Sequence, residues 1–228
     1  MTPDIDSFNR LSLGIIQKEN CKPEDAMRKL ESLHLNLHCG EAVRDSAPLQ
    51  AALLTAVNTA TRAFLGGVLV KMPALVVSLL PWPQRRSLNE IVSDLGGTLT
   101  DALPEGRFTL TFGLPAHIDD DSLQVVCSDW QGGVLANGEH SPFVAGGILP
   151  TAGVFAGGLG VALAFLRLSE MEIAAGDRST GLSLWRPDLD WLDGQSVGPP
   201  VELLPQKYWM LGLGHLGQAY LWHIGLLS

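Results

Sequence analysis

Leu49, Ala52, Leu53, Ala56, Val57, Ala60 and Phe64 recur at i, i+3, i+4 spacing and predict an amphipathic helix over Ser46–Phe64. Ser46 suits its N-cap, Pro48 its first turn, and Gly66-Gly67 its end. Gln50, Asn58, Thr59 and Arg62 fall on the polar side, with Arg62 expected to be solvated. Other stretches follow the period of two. Leu33–His38 alternates leucines with His34, Asn36 and His38, which predicts a half-buried strand. Val68-Leu69-Val70 starts another. Arg107–Gly113 sets Phe108, Leu110 and Phe112 against Arg107, Thr109 and Thr111, a strand with one wet face. Ser122–Ser128 reads as a further strand, closed by Asp129-Trp130-Gln131-Gly132-Gly133.

Punctuation residues place the remaining helices. Pro23-Glu24-Asp25 marks a helix start with acids in the first turn. Ser87-Leu88-Asn89-Glu90, after the turn Pro81-Trp82-Pro83, is a capping box. Leu88, Ile91, Val92 and Leu95 follow on one face, and Gly96-Gly97 stops the helix. Ser141–Leu166 carries no charge and meets the length of a membrane span, about 20 residues. Its six glycines and two prolines, and its lack of Trp and Tyr flanks, argue instead for a buried small-residue helix over Pro150–Leu168. Gly157, Gly158 and Gly160 are expected to admit another backbone closely. Arg178–Pro187 reads as a polar loop around Leu182, Leu184 and Trp185, and Asp188–Pro205 as the one candidate linker.

The order helix–strand–helix–strand–strand–helix–strand–helix predicts an α/β fold: a layered Rossmann-like sheet with helices on both faces. Three segments are expected. They are a lead-in over 1–45, an α/β domain over 46–205, and a first βα unit of a nucleotide-binding domain over 206–228.

That last unit holds the sharpest chemical signal. A strand is predicted over Gln206–Leu211. It runs into Gly212-Leu213-Gly214-His215-Leu216-Gly217, a G-x-G-x-x-G, and an apolar helix pattern follows. Gly212 permits a tight turn, Gly214 a close phosphate, and Gly217 close helix packing. Amide N–H groups and the dipole at the helix start favour an anion. An ordinary tight turn is the bland alternative. The acid that would hold a ribose is expected about 20 residues beyond the glycines. Eleven residues follow Gly217, so the nucleotide-binding half is expected to be incomplete here.

Composition narrows the classes. A 46% hydrophobic and 17% charged chain has a core and is not disordered. A formal charge of −9 gives nucleic acid no basic footprint. Cys21, Cys39 and Cys127 are odd in number and widely spaced, which reads as reduced thiols of a cytoplasmic protein. The polar start MTPDIDSFNR is no secretory signal. His34, His38, Cys39 and Cys21 include zinc-ligand types, but their spacing fits no usual structural zinc site. Asp119-Asp120-Asp121 is expected to be a solvated turn rather than a Mg²⁺ site. No G-x-S-x-G, H-E-x-x-H, C-x-x-C or P-loop is present, and Ser183 and His140 have no partner identifiable from sequence. No metal site and no catalytic residue is assigned.

Four runs, Gln50–Val68, Gly146–Leu168, Gly181–Asp188 and Tyr208–Leu227, together resemble bacterial ThiF-type, E1-like proteins. The resemblance spans roughly residues 47–227 and implies a Rossmann-like, ATP-binding fold related to ubiquitin-activating enzymes. It implies that Gly212, Gly214 and Gly217 cradle the phosphates of ATP with Mg²⁺. The implied activity is adenylation of the C-terminal carboxylate of a ubiquitin-like or sulfur-carrier protein, by a homo-oligomer, often a dimer. The family's other nucleotide-holding residues lie beyond the glycine turn, so an N-terminal portion of such an adenylyltransferase is expected. Two alternatives stay open: an NAD(P)-binding Rossmann oxidoreductase, whose glycines would be the same, and a non-enzymatic interaction module.

Overall fold

Alternation at Leu33–His38 makes a strand, β1 (His34–Cys39), and this is an inner strand of the sheet. A computed structural model describes residues 10–82, 86–114, 121–139, 147–205 and 207–227. Ahead of β1 lie α1 (Arg10–Glu19) and α2 (Pro23–Ser32), the latter with Pro23 at its first position as predicted. After it come a short 3₁₀ turn, α3 (Ala47–Ala60), β2 (Gly67–Lys71), α4 (Leu88–Asp94) and β3 (Thr98–Leu99). Then follow β4 (Thr109–Phe112), β5 (Ser122–Cys127), β6 (Gln131–Leu135), α5 (Thr151–Leu168), β7 (Thr180–Ser183) and α6 (His215–Leu227). The capping box at Ser87 is formed in full, with Ser87 and Glu90 each bonding the other's backbone N–H.

The seven strands form one sheet in the order β3-β2-β1-β4-β5-β6-β7. β3, β2, β1, β4 and β5 are parallel, and β6 and β7 add antiparallel at one side. The chain winds outward from β1 through β2 to β3, then returns to lay β4 against the other side of β1. That reversal makes this a Rossmann-like layered α/β sheet flanked by helices.

One sheet face is apolar. Leu35, Leu37, Val68, Val70, Leu110, Phe112, Leu123 and Val125 are buried in one cluster with α3 and α5. α3 departs from the predicted stripe. Twelve of its fourteen residues are buried, so it is a central helix apolar nearly all round. Gln50, expected on a wet side, is fully buried. Its Nε2 donates to the Val43 and Val77 carbonyls, each at 3.0 Å, and its Oε1 accepts from Leu79 N at 2.7 Å. Thr109 and Thr111 are buried as well, because an inner parallel strand is covered on both faces.

α5 is the small-residue helix that composition predicts, and among the described residues it alone is long and apolar enough to cross a membrane. It lies against α3 and the sheet. A Cβ on Gly153 would overlap the Pro48 carbonyl oxygen, and one on Gly157 the Ala52 carbonyl oxygen. A Cβ on Gly160 would lie 3.0 and 3.4 Å from the Val125 and Leu110 side chains. Gly158, expected to be part of this contact, faces open space.

Three expectations are corrected. Asp129–Gly133 is not simply a closing turn, because Gln131–Leu135 is β6. The polar loop Arg178–Pro187 contains β7. Lys207–Leu211 is not a strand, since none of its described residues pairs with the sheet, whose edges are β3 and β7. An apolar run becomes a strand only where a partner takes up its backbone N–H and C=O groups. Gln206, Asp119, Asp120, His140, Ser141–Gly146, Pro83 and the first nine residues of the chain lie outside the described residues.

Candidate functional site

The candidate site is the glycine turn at the head of α6. Gly212 has φ +89°, a conformation that suits glycine and strains any other residue. A Cβ on Gly217 would overlap the Gly212 carbonyl oxygen, so helix and incoming chain touch only because residue 217 is glycine. At Gly214, as at Gly212, no atom beyond the chain neighbours lies within 4 Å of where a side chain would begin. The first helical bond runs from Gln218 N to Gly214 O at 3.0 Å, and Gln218 Nε2 donates to Leu213 O at 3.2 Å. The N–H groups of a helix's first turn have no intrahelical acceptor, and of that turn His215 and Leu216 are exposed while Gly217 is buried. Gly212 turns the chain, Gly217 lies against it, and Gly214 faces open space.

Beside the turn lies a cavity of about 780 Å³, bounded by Pro205, Tyr208, Met210, Leu216, Tyr220 and Ile224 among others. Its surroundings are unusually apolar for a surface. Trp209 is 95% exposed, Leu211 93% and Leu216 76%. Single exposed apolar residues are ordinary, whereas a contiguous run marks a surface that meets another apolar one.

α6 is held at its far end by residues that local pattern did not single out. Trp222 Nε1 donates to Thr55 Oγ1 of α3 at 2.8 Å, and the Trp222 ring meets Trp82 edge-on at 6.2 Å. Leu226 is buried. His223 Nε2 lies 3.0 Å from Thr151 Oγ1, at the first residue of α5. The chain reaches this region along Val197–Pro205, which Trp130 pins by donating from Nε1 to the Pro199 carbonyl at 2.7 Å.

Burial holds the His223 imidazole below its ordinary value of 6.5. The docked helix therefore favours the neutral ring, whose Nε2 shares a hydrogen bond with the Thr151 hydroxyl in a direction set by the tautomer. A charged ring there would also face the positive end of α5. This contribution is complete above pH about 6.5 and erodes as pH falls, because the undocked ring gains a proton that the docked ring resists. Amide exchange confined to α6 is expected to be faster at pH 5.5 than at 7.5 after correction for intrinsic rates, and His223→Gln is expected to abolish the difference. Equal protection at both pH values in the unsubstituted protein would refute this.

The other residues raised by the sequence do not join the turn. Among the described residues no group of three or more His, Cys, Asp or Glu is placed to hold a metal. All three cysteines are free thiols. Burial pushes Cys39 well above the usual thiol range and, with Asp129 near, pushes Cys127 up to about 12, so neither is a nucleophile at neutral pH. Ser183 is buried and structural, donating to Ser196 O at 2.6 Å and accepting from Arg186 N at 2.9 Å.

Comparison with known proteins bears on this arrangement. The profile of the BilD N-terminal domain matches residues 34–184, from β1 through β7. The chain is 34% identical over 206 residues to the bacterial E1-like protein BilD of Collimonas sp. (strain OK412). That match takes in 90% of this chain and 45% of the relative, so the chain spans about half the length of the relative. The glycine turn lies downstream of the matched domain.

Proposed function

The chain belongs to the BilD family of bacterial E1-like proteins, and on that premise we propose that its glycine turn cradles the phosphates of ATP. The observation that carries the reading is the open Gly214 at the head of α6, between two glycines fixed by backbone geometry. Backbone N–H groups at a helix start, with no side chain in the way, suit a phosphoryl oxygen. In this reading Gly212, Gly214 and Gly217 form the first limb of a nucleotide site with Mg²⁺. The complete protein adenylates the C-terminal carboxylate of a ubiquitin-like or sulfur-carrier protein. Because the chain spans about half of its relative, its own share of that chemistry is the phosphate cradle, and further nucleotide-holding groups come from elsewhere in the E1-like protein. The exposed Trp209, Leu211, Leu216 and Tyr220 support a protein-facing surface next to that cradle.

Isothermal calorimetry with MgATP tests the reading. Saturable binding is expected, and Gly214→Val should weaken it at least about tenfold, a loss of about 1.4 kcal/mol, by placing a branched side chain where the phosphate approaches. α6 helicity should be unchanged, because that position is open. No saturable MgATP binding, or binding indifferent to Gly214→Val, overturns the reading. So does a preference for NAD over ATP, which would favour the dinucleotide alternative.

A further inference from the structure

The sheet has a second face, opposite Leu35, Leu37 and Leu110, because successive strand side chains point to opposite sides. Register aligns its polar residues in rows across four strands. Leu69, Asn36, Thr109 and Ser122 form one row, and Lys71, His38, Thr111 and Gln124 the next, nearer the carboxyl ends of the strands. Asn36, Thr109, Thr111, Ser122 and Gln124 are buried. Several of these polar groups are satisfied locally. Thr109 Oγ1 donates to Arg107 O at 3.0 Å, Gln124 Nε2 to Leu114 O at 2.8 Å, and Asn36 Nδ2 to Pro104 O at 3.4 Å. Asn36 Oδ1 is buried with no hydrogen-bond partner among the described residues, an omission that a folded protein rarely leaves without cause.

His38 and Lys71 stand side by side in the outer row, half-buried. Two basic groups with no carboxylate beside them are an unbalanced arrangement, and among the described residues neither enters an ion pair. Burial and the nearby Lys71 both hold His38 below its ordinary value, so the ring rests neutral beside the Lys71 charge. An anion between them would offset that charge and favour a proton on the ring. The place is also the one where open α/β sheets take ligands: beside the carboxyl ends of the strands, where the winding reverses between β1 and β4.

We propose that Lys71 and His38 form an anion site that takes the phosphate or carboxylate group of a small molecule. It is separate from the glycine turn and does not depend on the function proposed for that turn. Lys71 supplies the fixed charge. His38 supplies an N–H donor and gains a second when the anion draws a proton onto the ring.

The test follows the His38 ring Hε1 resonance, assigned by its loss in His38→Gln, during titration at pH 7 with inorganic phosphate and separately with acetate. Chloride at matched ionic strength is the control. A saturable shift is expected with at least one oxyanion, and the arm that responds identifies the group recognised. Lys71→Met should weaken binding at least about tenfold, the scale of one charge-assisted hydrogen bond, while Lys71→Arg retains it. Gly214→Val should leave it unchanged, which separates this site from the glycine turn. No saturable shift with either oxyanion, a shift untouched by Lys71→Met, or one lost in Gly214→Val overturns the proposal. Far-ultraviolet circular dichroism of each variant ensures that the comparison is between folded proteins.

Discussion

Gly157→Leu is expected to destabilise the protein by about 3 kcal/mol or more. At Gly157 the backbone of α5 rests on α3, and even a methyl group would overlap the Ala52 carbonyl oxygen. That oxygen belongs to a buried helix and cannot move aside as a flexible side chain would. α5 must therefore lift away from α3, and the contact that opens includes Gly153 over Pro48, one turn earlier. Overpacking a tight core costs about 1–3 kcal/mol and sometimes more, and parting two helices of the central layer lies at the upper end. Since domains are stable by only about 5–15 kcal/mol, a leucine there removes a large part of that margin. Gly158→Ala is the matched control. Its side is open, and the better helix propensity of alanine should raise stability by up to about 1 kcal/mol. Urea denaturation followed by circular dichroism reads both. If Gly157→Leu kept the unsubstituted midpoint, the packing of α5 on α3 described above would be wrong.

The second large effect is expected at Trp191. Its ring lies against Gly133 of β6 and Gly181 of β7, where a Cβ on either glycine would run into the indole. With Val126 and Leu135 it forms a small core separate from the main one. Gln131, buried in β6, fixes the loop from below, with Nε2 2.9 Å from both the Trp191 and Asp193 carbonyls. Trp191→Ala removes the one large side chain of that small core, at a cost of about 3–5 kcal/mol. The damage should be regional. Amides of β6 and β7 should lose protection against exchange before those of β1 and β2, because the main core does not include Trp191. Uniform loss across the sheet, or a urea midpoint shifted by the equivalent of less than about 1 kcal/mol, would contradict this account.

These two sites also mark where the sequence was legible. The glycines of α5 announced a helix pressed against another backbone, and the structure places Gly157 there. Alternation gave β1, and the capping box at Ser87 gave the start of α4. Gly132-Gly133 misled, because paired glycines usually punctuate a turn. Here they thin β6 so that Ala152 can approach one face and Trp191 the other. Nothing local in the chain names those neighbours. Thr109 and Thr111 misled for a related reason: threonine reads as a wet face, yet burial on both sides is a property of the strand's place in the sheet. At the candidate site, spacing placed Gly212–Gly217 at the start of a helix, which depends on backbone over a few residues, and the phosphate role of these glycines is a proposal. The anchoring of α6 by Thr55 and Thr151 lay 167 and 72 residues away from its partners and left no mark in a local pattern.

The position of β1 has a bearing on how the chain is made. Both strands that flank it, β2 and β4, are synthesised after it. β1 therefore leaves the ribosome with neither edge occupied. It can gain one neighbour only once Lys71 has emerged, and the second only once Phe112 has. During that interval its leucines and its backbone are open to other nascent chains, so the early part of translation is when this protein has most need of a chaperone.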